Sequence, residues 1–163
     1  MTTRRHMLLG AAASAAALCA ATFNRRATAA TESFEISYTD AQWRARLSPQ
    51  QYAVLRQEAT EPPGSSPLNK EHRPGIFSCA GCSLPLFAST TKFESGTGWP
   101  SFWKPLDNAV ATRKDRSYGM VRIEAHCRRC GGHLGHVFED GPPPTGLRYC
   151  MNGLALTFAP KPA

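Results

Sequence analysis

Five cysteines carry the first chemical signal in this 163-residue sequence. Cys79-Ala80-Gly81-Cys82 and Cys127-Arg128-Arg129-Cys130 are two C-x-x-C pairs, and Cys150, in GLRYCMNG, stands outside both. Each pair can grip one metal ion from a tight turn, and four thiolates in a tetrahedron suit zinc in a closed structural site. A C-x-x-C can also be a redox couple, and in an exported protein the same four residues could close two disulfides. The span of 44 residues between the pairs is longer than in a simple ribbon finger. The two turns must then come from different hairpins, and a shared ion would tie residues near 80 to residues near 130.

Cys150 calls for a different chemistry. A strand over 147–151 would point Arg148, Cys150 and Asn152 one way and Tyr149 and Met151 the other, into a core. A guanidinium beside the thiol favours the thiolate and lowers its pKa, which makes a nucleophile. A buried, inert cysteine is the plain alternative. His133 and His136, in GHLGHVF, could position or protonate a substrate oxygen. They could equally be surface groups beside the second C-x-x-C pair, or bind a metal themselves. Trp99, in GTGWPSF, sits on a glycine-flexed loop, and aromatic rings pack well around a sulfur-bound methyl group. It could also be simple core.

The elements that must position these groups have legible signals. Thr39 with Gln42, and Ser48 with Gln51, read as capping boxes, with Pro49 at the first helical position of the second. The helices should end near Leu47 and Ala59, ahead of Pro62-Pro63-Gly64. Residues 60–75 hold four prolines and two glycines and read as a surface loop. Beyond them, GIFSC, PLFAST, GMVRIEAH, HVFED, LRYCMN and LALTF alternate with Gly and Pro, the pattern of short antiparallel strands. The expectation is one α+β domain, mainly β, with its helices at the N-terminal end.

The first residues carry a different signal. MTTRRHMLL precedes an apolar run, too short to span a bilayer, that closes near Ala27-Thr28-Ala29. Arg4-Arg5 before that run resembles a twin-arginine export signal. The reading is a cleaved signal over 1–29 and a single mature domain over 30–163, exported to the periplasm and meeting the membrane only during export. An uncleaved anchor is the alternative, and Leu18 before Cys19 argues against lipoprotein attachment. Cleavage removes four arginines and no acid, so the net charge falls from +7 to +3. A charge that small, without aromatics interleaved among Lys and Arg, argues against a nucleic-acid partner.

KFESGTGWPSFWKPL, HCRRCGGHLGHVFEDGP and TGLRYCMNGLAL, together with both C-x-x-C pairs in order, resemble the methionine-R-sulfoxide reductases over about residues 37–160. The resemblance implies two antiparallel β-sheets with N-terminal helices and a structural zinc on Cys79, Cys82, Cys127 and Cys130. It implies reduction of the R epimer of methionine sulfoxide in oxidised peptides and proteins. Cys150 would be the nucleophile, left as a sulfenic acid. His133 and His136 would orient and protonate the sulfoxide oxygen, and Trp99 would hold the substrate methyl. Arg148 and Asn152 would flank the nucleophile, with Asp140 of FEDGP as a supporting partner or, alternatively, a turn residue.

The sequence departs from that pattern at one place. Many members carry a cysteine in the SGCGWPSF loop that attacks the sulfenic acid, and thioredoxin reduces the resulting disulfide. Here the position is Thr97, so the resemblance implies no internal recycling disulfide and direct reduction by a thioredoxin-like or other external thiol. A zinc-scaffolded binding module is the rival reading, but it leaves RYCMN and GHLGH without a role. No interface signal is legible, so a monomer is expected.

Overall fold

Two reciprocal caps start the two α-helices found among the described residues. In the computed structural model, which describes residues 32–162, Gln42 N–H donates to the Thr39 hydroxyl and the Gln42 side chain accepts from Thr39 N–H, opening helix α1 (Asp40–Arg46). Ser48 and Gln51 repeat the arrangement at helix α2 (Pro49–Gln57). Losing such a cap costs about 0.5–2 kcal/mol. Helix α2 stops two residues earlier than its proline signal suggests, because Glu58 turns left-handed at φ 57° and caps it. Trp43 of α1 and Tyr52, Val54 and Leu55 of α2 are buried. Among the described residues no helix is long and apolar enough to cross a membrane. The stretch read as an export signal, with Cys19, lies outside the described residues.

Nine strands follow among the described residues: β1 (Gly75–Cys79), β2 (Pro85–Ala88), β3 (Lys92–Phe93), β4 (Ser101–Phe102), β5 (Val110–Asp115), β6 (Arg122–Cys127), β7 (His133–Phe138), β8 (Arg148–Met151) and β9 (Leu156–Pro160). They form two antiparallel sheets, in the orders β2-β1-β9 and β3-β4-β8-β7-β6-β5. The expected mainly-β architecture with N-terminal helices is therefore present. The sheets meet through aromatic rings: Phe87 of β2 stacks on Phe102 of β4 at 4.3 Å, and Phe77 of β1 meets Phe102 edge-on at 5.0 Å. All three are fully buried, and each contributes about 1.5–3 kcal/mol by leaving water.

The strand boundaries differ from the sequence pattern in instructive places. Strand β5, VATRKD, has no apolar alternation. It is an edge strand paired only with β6, and charged side chains guard its open side. The GMVRIEAH run begins as a strand only at Arg122, because Tyr118 and Gly119 turn at φ 54° and 70°. Strand β7 starts at His133, three residues before the HVFED run, so both histidines lie on it. The loop over 60–75 contains a 3-10 turn at Pro67–Lys70, and Gly75 already belongs to β1.

Candidate functional site

The four paired cysteines converge. Cys79–Cys82 sits at the β1–β2 hairpin and Cys127–Cys130 at the β6–β7 hairpin, as the spacing required. Their sulfurs all lie within 4.8 Å of one another. Across the two turns, Cys79 Sγ is 3.7 Å from Cys130 Sγ, and Cys82 Sγ is 3.5 Å from Cys127 Sγ. A tetrahedral ion with bonds of about 2.3 Å to sulfur needs sulfurs about 3.8 Å apart, whereas a disulfide needs about 2.05 Å. The thiols are free, and the geometry fits a tetrahedral ion. Leu55 of α2 packs beside Gly132 and Cys130, and Arg56 Nη1 donates to the Cys130 carbonyl at 3.1 Å, so the helix covers the four-cysteine cluster.

Cys150 lies in the middle of β8, opposite Ser101 of β4 on one side and His136 of β7 on the other. Both flanking strands hold its backbone, and Tyr149 and Met151 turn inward as alternation requires. Strand β7 passes unusually close here. A Cβ on Gly135 would come within 2.1 Å of the Cys150 carbonyl oxygen, so only glycine fits. The half-buried thiol opens on a cavity of about 140 Å³, lined by Trp99, His136, Arg122, Phe138, Thr60 and Asn152. That is the room of about four or five waters, enough for the tip of one side chain.

The loop carrying Trp99 is fixed from several directions. Gly98 adopts φ 93°, and a Cβ there would sit 2.8 Å from Pro63. Its carbonyl accepts from Gly64 N–H at 2.7 Å and from the Asn69 amide at 2.8 Å. The Trp99 indole N–H donates to the Glu61 carbonyl at 3.0 Å. Glu61 N–H in turn donates to the Asn152 side-chain oxygen at 3.0 Å, and the buried Glu61 carboxylate accepts from Gly153 N–H and Leu154 N–H. Asn152 closes the chain by donating to the Leu134 carbonyl at 3.2 Å. The Trp99 loop and the Cys150 strand thus share one tether, Glu61, a residue more than ninety positions from Gly153 in sequence.

Each histidine is oriented by a carboxylate. His133 Nδ1–H donates to the buried Glu124 at 2.8 Å, and His136 Nε2–H donates to Asp115 at 2.8 Å. The two rings lie 5.4 Å apart, edge to face. His133 Nε2 is buried with no hydrogen-bond partner among the described residues, the mark of an atom waiting for a ligand or water. Asp115 also accepts from Ser117 N–H and from Arg122, and these bonds hold its carboxyl far below the usual range. Burial lowers the His136 pKa, and the Asp115 bond offsets this only in part.

Arg148 sits next to Cys150 on β8 but is paired with the acid expected to support it. Its guanidinium makes a two-pronged pair with Asp140, both contacts at 2.8 Å, and lies over the Phe138 ring. Neither Arg148 nor Asp140 lines the cavity, while Trp99, His136 and Asn152 do. The expected lowering of the Cys150 pKa is reversed: burial pushes the thiol up, and Thr97 and Arg148 pull it back only in part. The arginine's charge is already shared with a carboxylate, so less of it reaches the sulfur.

Thr97 Oγ1 stands 3.8 Å from Cys150 Sγ and belongs to a hydroxyl cluster with Ser95 at 2.8 Å, itself 2.7 Å from Ser101. Sequence reasoning missed Glu61, Asp115, Arg122 and Glu124. Glu124 had a signal, an acid inside the otherwise apolar strand RIEAH. Glu61 had none, since its role depends on a contact across most of the chain.

The SelR domain family matches residues 47–160. A peptide methionine sulfoxide reductase MsrB of Thiobacillus denitrificans is 57% identical over 124 residues, covering 76% of this chain and 94% of that protein. The protein of the same name from Bradyrhizobium diazoefficiens is 55% identical over 124 residues, covering 76% and 89%. That from Agrobacterium fabrum is 50% identical over 127 residues, covering 77% and 94%.

Proposed function

From the premise that the chain belongs to the SelR family, the methionine-R-sulfoxide reductases, we propose that it reduces the R epimer of methionine sulfoxide in oxidised peptides and proteins, with Cys150 as nucleophile. The carrying observation is the half-buried thiol on one wall of a side-chain-sized cavity, with Trp99 and His136 on the others. Trp99 receives the substrate methyl, as aromatic faces do for groups bonded to sulfur. Cys150 attacks the sulfoxide sulfur as a thiolate, and the imidazoles supply the proton to the oxygen, His136 at the cavity wall and His133 beside it. One oxygen passes from methionine sulfur to Cys150 sulfur. Methionine is reduced, and Cys150 becomes a sulfenic acid. Asn152 aligns the wall through Glu61, and Asp140 holds Arg148 beside the thiol.

Thr97 leaves the sulfenic acid without an internal partner. An external thiol forms a mixed disulfide with Cys150 and releases water, and a second thiol restores Cys150 and leaves as a disulfide. A thioredoxin-like protein or a small thiol can fill that role. The four-cysteine centre fits zinc, whose contribution is a cross-link between the two hairpins. The Arg4-Arg5 signal over 1–29 supports export and a mature periplasmic domain over 30–163 that works as a monomer. Fractionation of cells expressing the chain with Arg4 and Arg5 changed to lysine tests the export reading: retention of the variant inside the cell is expected.

The central test supplies separated R and S sulfoxides of a methionine peptide, with dithiothreitol, to the mature protein and to Cys150→Ser. R-only turnover that disappears in the variant is expected. Turnover of the S epimer, or more than trace activity in Cys150→Ser, overturns the assignment.

A further inference from the structure

Large apolar side chains left in water gather at one place among the described residues, the turn between β5 and β6. Tyr118 is 86% exposed, Val121 71% and Met120 49%. Ile123, also exposed, lies on the far face of β6, because Arg122 and Glu124 point toward the histidines. Nothing in the packing of the domain requires this cluster, and such patches mark interaction sites. The turn is also held rigidly. Asp115 accepts from Ser117 N–H at 2.8 Å and from Arg122 Nη2 at 2.7 Å, pinning both ends of the loop to a carboxylate that also orients His136.

The patch meets the cleft beside Cys150 through one of its members. Tyr118 lines a second cavity, of about 290 Å³, with His133 and His136. That cavity shares Thr60, Arg122 and His136 with the cavity around Cys150. A chain whose sulfoxide side chain enters beside Cys150 therefore has an open course past Arg122 to the apolar turn.

We infer that the turn formed by Tyr118, Met120 and Val121 is a docking surface for the apolar residues that flank a methionine sulfoxide in an unfolded polypeptide, an inference that rests on the proposed reductase reading. The occupant follows from substrate chemistry. Methionine is a core residue, and its oxidation puts a polar group into that core and disrupts it. The sulfoxide that reaches a side-chain-sized cavity is then the one carried out of a core, with apolar neighbours on either side. The turn selects damaged, opened chains over surface methionines set among polar residues.

The test compares two R-sulfoxide peptides of equal length, one with Leu and Val flanking the sulfoxide and one with Gly and Ser, alongside the blocked single amino acid. The enzymes are the full chain and Tyr118→Ser/Val121→Ser, and the readout is the ratio of kcat/KM between the two peptides. Wild type is expected to favour the apolar peptide about tenfold, a gain that burial of one or two side chains supplies. The variant is expected to bring the ratio to within about twofold of unity. A ratio near unity in wild type, or one unchanged in the variant, overturns the inference, and so does an equal fall on both peptides. Sedimentation of both proteins covers the remaining occupant: a wild-type dimer lost in the variant, with the ratio unmoved, assigns the patch to a second copy and also overturns it. Turnover of the blocked amino acid keeps the reductase reading separate, since its absence in every enzyme would count against that reading alone.

Discussion

Thr97→Cys offers the sharpest test of how the Trp99 loop faces Cys150, the proposed nucleophile. Thr97 Oγ1 lies 3.8 Å from Cys150 Sγ. A disulfide requires about 2.05 Å between sulfurs, so the gap to close is roughly 1.8 Å. The longer carbon–sulfur bond takes up part of it. Gly96 and Gly98, at φ 73° and 93°, bracket the residue and can absorb a small rotation, although Gly98 is pressed against Pro63. A thiol held this close competes with an external thiol at an effective concentration far above the millimolar level of a loose tether. In wild type, one turnover without reductant should leave a sulfenic acid that a dimedone probe traps. In Thr97→Cys, the same turnover should give a disulfide between the introduced thiol and Cys150 by peptide mass mapping, with a fall in dimedone labelling of about tenfold or more. Full dimedone labelling with no disulfide in the variant would mean that the loop does not present position 97 to the thiol, and the reasoning fails.

Other expected outcomes address the electrostatics, the packing and the metal. Burial raises the Cys150 pKa and lowers that of His136. Thiol and neutral imidazole therefore coexist between the two values, proton transfer between them gives the attacking thiolate and the acidic imidazolium, and kcat/KM should show a plateau that falls on both sides. Arg148→Leu removes a group that pulls the thiol down and should move the alkaline limb to higher pH; an unmoved limb contradicts the role of the arginine. Burial pushes the Glu124 carboxyl up, but its bonds to His133 and Arg113 outweigh this and leave the pKa lowered. Its contribution to stability should be present at neutral pH and fade as pH falls through the folded value. Glu124→Ala should cost about 1–3 kcal/mol in urea unfolding at pH 7 by stranding the buried His133 Nδ1, with a smaller difference in acid. Purified protein should carry one zinc per chain by atomic emission. Chelation under reducing conditions should cost at least about 3.5 kcal/mol, the length-dependent closure entropy alone of the 51-residue loop between Cys79 and Cys130; an unchanged Tm would remove the metal from the account of stability.

The parts of this molecule legible in sequence were those whose physics is local. Thr39, Ser48 and Pro49 announce helix starts through bonds spanning three residues, and both caps formed as written. Cysteine spacing carried the four-cysteine cluster, because ligand geometry restricts a C-x-x-C turn to few conformations. Strand alternation placed Cys150 opposite Tyr149 and Met151. What escaped depended on distant partners. Strand β5 looks like a polar loop until β6 supplies its hydrogen bonds. Asp140 reads as a supporting partner, but that it takes both prongs of Arg148 and so weakens the arginine's pull on the thiol shows only once the loop folds back. Glu61 looks like the polar end of a Pro-rich loop until the chain end folds back upon its carboxylate.

That last contact has a dynamic consequence. Because the Trp99 indole, the Glu61 amide and the Gly153 and Leu154 amides all bond through one residue, none can exchange its hydrogen with solvent deuterium without loosening the others. The four should exchange at one common rate, set by a single local opening of the loop rather than by the exposure of each group. Breathing of the catalytic cleft would then be a property of the junction between a helix and a sheet, written into a residue that touches no substrate.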